Sequence, residues 1–256
     1  MPPPPPSDQP PRHEPAGDWV RVVELRDEAE GAVGRGARRG TSEPLELGHD
    51  GDLRVQLVRA VGADRAARLE RRVKDASKAF TAERYPEARS TLAAIAREAP
   101  SVVAVRELLG LTLYRMGRWR QAAAELEAFR QLTGRTEQHP VLADCYRAMR
   151  RYEQVDALWE ELREVSPDAD LVMEGRIVAA GAAADRGDLL AAVAILQPSA
   201  RVPRRPQERH LRKAYALGDL YERLGDVPRA RQWFRVVADH DPEYVDVRRR
   251  LRALGA

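Results

Sequence analysis

The distribution of apolar residues divides the chain near residue 52. Before it, "MPPPPPSDQPPRHEPAG" (1–17) offers no apolar face, and its prolines favour extended backbone. "DWVRVVELRDEAE" (18–30) holds one short apolar run, readable as a strand or a helix turn. "GAVGRGARRGTSEPLELGHDGD" (31–52) then returns to glycine and charge, the composition of a linker. Residues 1–51 therefore read as a disordered Pro/Gly/Arg-rich arm. From residue 52 the period becomes helical. In "DLRVQLVRAV", Leu53, Leu57, Val58 and Val61 recur at helical offsets, with Asp52 placed to cap them. Gly62 ends that segment, and Asp64 caps a longer helix through "RAARLERRVKDASKAFTAER". Onward to the end, helical segments of roughly 12–15 residues alternate with breaks at Gly or Pro, and no period-2 alternation interrupts them. The fold class predicted is all-α.

The helical stretch repeats itself. In "LGDLYERLGDVPRARQWFRVVADHDP", Gly218 is followed by Tyr221, Gly225, Ala230, Phe234 and Pro242. The same offsets upstream give Gly110, Leu113, Gly117, Trp119, Ala122 and Leu126. Ala76 brings Ala79, Tyr85, Ala88, Leu92 and Pro100, and Ala143 brings Tyr146, Tyr152, Trp159 and Pro167, with Val155 where Ala is expected. Ala180 matches more loosely through Ala183, Gly187, Leu189, Ala192 and Leu196. The anchors are 34, 33, 37 and 38 residues apart, and the longer spacings predict lengthened loops such as the proline-rich stretch 197–210. Physically, two antiparallel helices approach closely when a small residue on one faces a large residue on the other. Gly218 and Ala230 are such holes and Tyr221 and Phe234 such knobs, while Gly225 supplies the left-handed turn that ends the first helix. One hairpin cannot bury its apolar face alone, so several must stack and the last needs a polar cap. "EYVDVRRRLRALGA" (243–256) suits that cap, apolar at Tyr244, Val247, Leu251 and Leu254.

This spacing and pattern resemble the tetratricopeptide repeat (TPR). Residues 105–149, with "TG" and "HPVLADC" outside the general repeat, also resemble a set of uncharacterised actinobacterial TPR proteins, which adds no activity. The resemblance implies an α-solenoid of about five TPR-like hairpins over residues 52–242 with a capping helix at 243–256. It further implies that the first helix of each hairpin lines a concave groove that binds a partner segment. In this register the groove holds Ser77 and Phe80, then Glu107, Leu111, Tyr114 and Arg115, then Asp144 and Arg147. Ile177, Gly181 and Asp185 follow, and then Tyr215, Asp219 and Glu222. The expectation is a surface of mixed charge with two exposed tyrosines, whose acidic end (Asp185, Asp219, Glu222) favours a partner protein or peptide carrying Arg or Lys. TPR domains that clamp chaperone C-terminal carboxylates use a Lys/Asn/Arg cluster; Val73, Ser77, Leu108, Glu137 and Val141 stand at the matching places, which excludes that ligand.

Composition changes this picture little. The 256 residues are 43% apolar and 32% charged, and the net charge of +3 does not by itself imply nucleic acid or acidic lipid. Lys74, Lys78 and Lys213 are the only lysines beside forty arginines, a bias that fits a GC-rich, actinobacterial genome. The lone Cys145 excludes an internal disulfide framework and fits a reducing cytoplasm, and no signal peptide or membrane span is expected.

Candidate chemistry is sparse. "GRGARRG" (34–40) follows no strand and lacks the Lys-Ser/Thr ending of a phosphate loop. "RRRLR" (248–252) is basic but lies on the capping helix. Cys145 has no histidine placed to activate it, and His13, His49, His139, His210 and His240 show no ligand spacing. Glu160 and Glu161 point in different directions from one helix. No catalytic residue, metal or cofactor is expected. The leading function is a non-catalytic interaction scaffold or adaptor. Two alternatives stand beside it: an RNA- or DNA-associated protein using the basic arm and C-terminus, and a self-assembling structural protein, a homo-oligomer stacked through an incompletely capped end.

Overall fold

The computed structural model describes residues 53–165, 168–197 and 202–255, and its elements among them are twelve α-helices. They are α1 (Leu53–Val61), α2 (Ala63–Thr81), α3 (Tyr85–Glu98), α4 (Val103–Arg115), α5 (Trp119–Thr133) and α6 (His139–Ala148). Then come α7 (Tyr152–Val165), α8 (Ala169–Asp185), α9 (Leu189–Leu196), α10 (Glu208–Arg223), α11 (Val227–His240) and α12 (Val247–Ala253). The arm 1–51, the cap expected at Asp52 and Pro167 lie outside the described residues. Asp64 falls inside the first turn of α2 rather than at its cap; that place belongs to Gly62, whose φ of 81° turns the chain out of α1.

Five hairpins follow α1, and each closes with the same turn. Glu83, Gly117, Arg150, Gly187 and Gly225 take φ of 58°, 68°, 58°, 89° and 77°. The next residue of each turn donates its N–H back to the carbonyl five places earlier: Arg84 to Ala79, Arg118 to Leu113, Arg151 to Tyr146, Asp188 to Ala183 and Asp226 to Tyr221, at 2.8–3.0 Å. This is the Schellman closure of a helix end. Its geometry is so constrained that two positions lacking glycine still adopt the left-handed conformation.

Within hairpins the small-against-large rule holds. A Cβ added to Gly218 would lie 2.7 Å from Phe234 on α11, and one added to Gly110 would lie 2.6 Å from Leu126 on α5. The first helices (α2, α4, α6, α8, α10) form one layer, each also touching the next, while each second helix packs on the first helix of the following hairpin. The buried apolar residues form a continuous core from Leu57 to Val247. α12 packs on α11 and closes the stack with Tyr244 and Val247 buried. The architecture is an α-solenoid of TPR-like hairpins with a C-terminal capping helix.

Candidate functional site

The polar residues of the first-helix layer are joined from helix to helix. Tyr114 on α4 donates its hydroxyl to Asp144 on α6 at 2.6 Å. Arg147, one turn along α6, reaches back to Asp144 at 3.3 Å and forward to Asp185 on α8, where its Nε lies 2.7 Å from Oδ2. Gln138 at the start of α6 donates to Glu107 on α4 at 2.8 Å. Arg212 on α10 pairs with Glu174 on α8, and Arg223 donates to the Ala184 carbonyl at 3.3 Å. Polar side chains thus link α4 to α6, α6 to α8 and α8 to α10.

The last step of this ladder is made by the cap. Tyr215 on α10 donates its hydroxyl to Asp246, at the start of α12. Arg250 on α12 places Nη1 2.8 Å from Asp219 and 2.7 Å from Glu222, both on α10. Its guanidinium also lies over the rings of Tyr215 and Phe234, 5.6 and 5.5 Å from their centres.

These contacts correct the expected groove. Tyr114 and Tyr215 are not exposed: they are 4% and 3% accessible, and burial pushes both phenols up, aided by their carboxylate partners. Ser77, Phe80, Glu107, Asp144, Arg147, Ile177 and Gly181 are buried as well. Phe80 packs edge-on against Tyr85, and Ile177 belongs to the apolar core. Leu111, Arg115, Asp219 and Glu222 are half-buried and Asp185 lies at the exposed rim. At the acidic end, Asp185 is paired with Arg147, while Asp219 and Glu222 share Arg250. Burial pushes the Asp219 carboxyl up, with the Glu222 charge adding to it, although Arg250 opposes that. Three arginines of the basic C-terminus are paired within the chain: Arg248 with Glu243, Arg249 with Asp246, and Arg250 with Asp219 and Glu222.

Gln138, Asp246 and Arg250 were absent from the sequence-based site. One signal was available. Asp246 follows Tyr215 by 31 residues, as Asp144 follows Tyr114 by 30, close to one repeat length in each case.

Other groups offer little chemistry. Cys145 is buried, and burial pushes its thiol up, the reverse of what a nucleophile needs. His139 is buried at the start of α6, 3.2 Å from Glu161, and burial lowers its pKa against that neighbour's pull. No group of three or more His, Cys, Asp or Glu among the described residues is placed to hold a metal ion. None of the described helices is long and apolar enough to cross a membrane. A cleft of about 500 Å³ opens between α9 and the turn joining α10 to α11, lined by Val193, Tyr221 and Leu224 together with Gln197, Asp226 and Arg229, with Leu190 72% exposed at its edge.

Among solved structures the chain is similar to the crystal structure of a thermophilic TPR protein from Thermus thermophilus. The two share 18% identity with a TM-score of 0.57, over 73% of this chain and 98% of that one. At that identity the likeness establishes the TPR-like fold and carries no ligand across. No protein-family model and no curated protein matches the sequence. The narrower actinobacterial resemblance of residues 105–149 therefore rests on the sequence alone.

Proposed function

We propose that the chain is a non-catalytic adaptor that lays a partner's segment along its first-helix layer. One observation carries this reading. α2, α4, α6, α8 and α10 each touch the next, so a single extended or helical segment on that face meets successive repeats. Because Tyr114, Asp144, Arg147 and Tyr215 are buried, recognition falls to the half-buried and rim positions Leu111, Arg115, Asp185, Asp219 and Glu222. Interfaces of this kind draw their energy from a few well-packed anchors within a polar rim. Assignment to the TPR family, an actinobacterial source and a cytoplasmic setting belong to the same reading. They are supported by the repeat pattern, the arginine bias and the single cysteine respectively.

The test is affinity capture from native lysate with the full chain as bait, with and without nuclease. The comparison bait carries Leu111→Arg and Arg115→Glu, at two half-buried positions of that layer, and is first shown by circular dichroism to fold. A protein retained by the unaltered bait, resistant to nuclease and lost with the altered face, is the expected result. Capture abolished by nuclease would overturn the reading in favour of a nucleic-acid-associated protein with steep salt dependence. Capture indifferent to both changes would move the interface off the first-helix layer.

A further inference from the structure

Arg250 sits in a cage. Asp219 and Glu222 accept from its Nη1, Asp246 lies 3.5 Å from its Nε, and the rings of Tyr215 and Phe234 lie under its face. A planar, weakly hydrated guanidinium suits two carboxylates and two aromatic faces together, whereas a lysine ammonium does not. All but Asp246 of this cage belongs to the last hairpin. The cation is delivered from outside it, by a helix of seven residues.

The connection that delivers it is strained. Val245, two residues before α12, has φ of 47°. A β-branched side chain in the left-handed region is an outlier, and such conformations persist only when surrounding contacts hold them. Here the holding contacts are the Arg250 cage and the burial of Tyr244 and Val247. Releasing α12 would relieve Val245 and uncover the two α10 carboxylates on the same layer as the rest of the face.

The geometry points to α12 as a displaceable strap, its Arg250 standing in for the arginine of a partner's helical segment that takes the same seat. This rests on the adaptor reading and adds to it the chemistry of one anchor. The segment carries an arginine one turn after an aliphatic residue, repeating the spacing of Val247 and Arg250. Closed, the strap holds the advantage of attachment to the same chain, so the partner binds in competition with it.

The experiment uses the full chain and a fluorescein-labelled peptide with the sequence of residues 243–256, followed by anisotropy. The Arg250→Gln chain is expected to bind the peptide roughly tenfold tighter than the unaltered chain, because its own strap has lost the anchor and the competent state is more populated. Val245→Gly, which relaxes the closed strap, is expected to weaken binding roughly threefold by the same competition. Adding Asp219→Asn and Glu222→Gln to Arg250→Gln, or placing Arg250→Gln in the peptide, should abolish the gain. Equal affinity of the Arg250→Gln and unaltered chains, or a gain that survives loss of the peptide's arginine, overturns the inference. Should Arg250→Gln fail to fold by circular dichroism, Arg250→Lys keeps the charge without the planar fit. It is expected to tighten binding several-fold, and no change would sink the strap. A partner lost with Leu111→Arg and Arg115→Glu while these variants do nothing would refute the strap and leave the adaptor standing. The strap behaving as expected with no face-dependent partner would refute the adaptor instead.

Discussion

Arg147 reaches Asp185 across the space that a side chain at residue 181 would fill. A Cβ built on Gly181 would lie 2.8 Å from the Arg147 guanidinium carbon. The glycine on α8 is thus a passage for an arginine of α6, and it sets the interval at which those two helices are cross-linked. Two carboxylates from different helices hold the guanidinium, so it cannot swing aside without leaving charge buried.

Gly181→Ala should therefore be costly despite its size. The added methyl displaces a buried, doubly paired guanidinium, and overpacking of this kind destabilises by about 1–3 kcal/mol. Urea unfolding of the variant beside the unaltered chain measures it; an unchanged midpoint would mean that Arg147 has another route to Asp185.

Tyr114→Phe removes only a hydroxyl, yet that hydroxyl is the donor to a buried carboxylate. Losing a hydrogen bond to a charged acceptor costs about 1.5–3 kcal/mol. The expected outcome is a lower midpoint in the same urea experiment. Peptide binding at the Arg250 cage should be unaltered, since that cage lies beyond α8 and shares no group with Tyr114.

At the hairpin turns the prediction reverses sign. Glu83 and Arg150 hold φ of 58° where the other three turns use glycine. A left-handed L-residue costs about 1–2 kcal/mol and glycine's own entropic penalty is smaller, so Glu83→Gly and Arg150→Gly should each stabilise by about 0.5–1 kcal/mol. Thermal melts of the two variants check this, and a loss of stability at either would show that the side chain contributes more than its backbone costs.

His139 makes stability depend on pH. Burial holds its pKa below the ordinary 6.5, against the pull of Glu161 and with Arg130 assisting the shift. As pH falls below about 6.5 the unfolded chain takes up the proton first, so the folded state loses stability from there down through the lowered pKa and keeps it in full above. Urea midpoints at pH 7.5, 6.5 and 5.5 should decline over the last interval. In His139→Gln that part of the decline should disappear, and an identical slope in the variant would assign the pH dependence elsewhere.

Much of the architecture could be read from residue types at fixed offsets. Gly110 against Leu126 and Gly218 against Phe234 are contacts within one hairpin, sixteen residues apart. Helical periodicity dictates them once the two helices exist. The residues three places past each anchor, from Ala79 to Tyr221, proved to be the acceptors that close the turns, again a local matter of chain geometry. The capping helix followed from its apolar positions at Tyr244 and Val247.

The candidate face was less legible. Tyr, Asp and Arg satisfy the helix pattern equally well in water or beneath a neighbouring helix. What decides between the two is a partner 30 to 38 residues away: Asp144 for Tyr114, Asp246 for Tyr215, Asp185 for Arg147. Periodicity places a side chain on a face of its own helix but carries no information about how far the next hairpin is rotated. The sequence by itself thus determined the helices, the turns and the stacking of about five hairpins, because those depend on local offsets and on the need to bury apolar faces. Only the tertiary structure decided which polar residues are open to a partner, because that depends on which charges the stack brings within hydrogen-bonding distance.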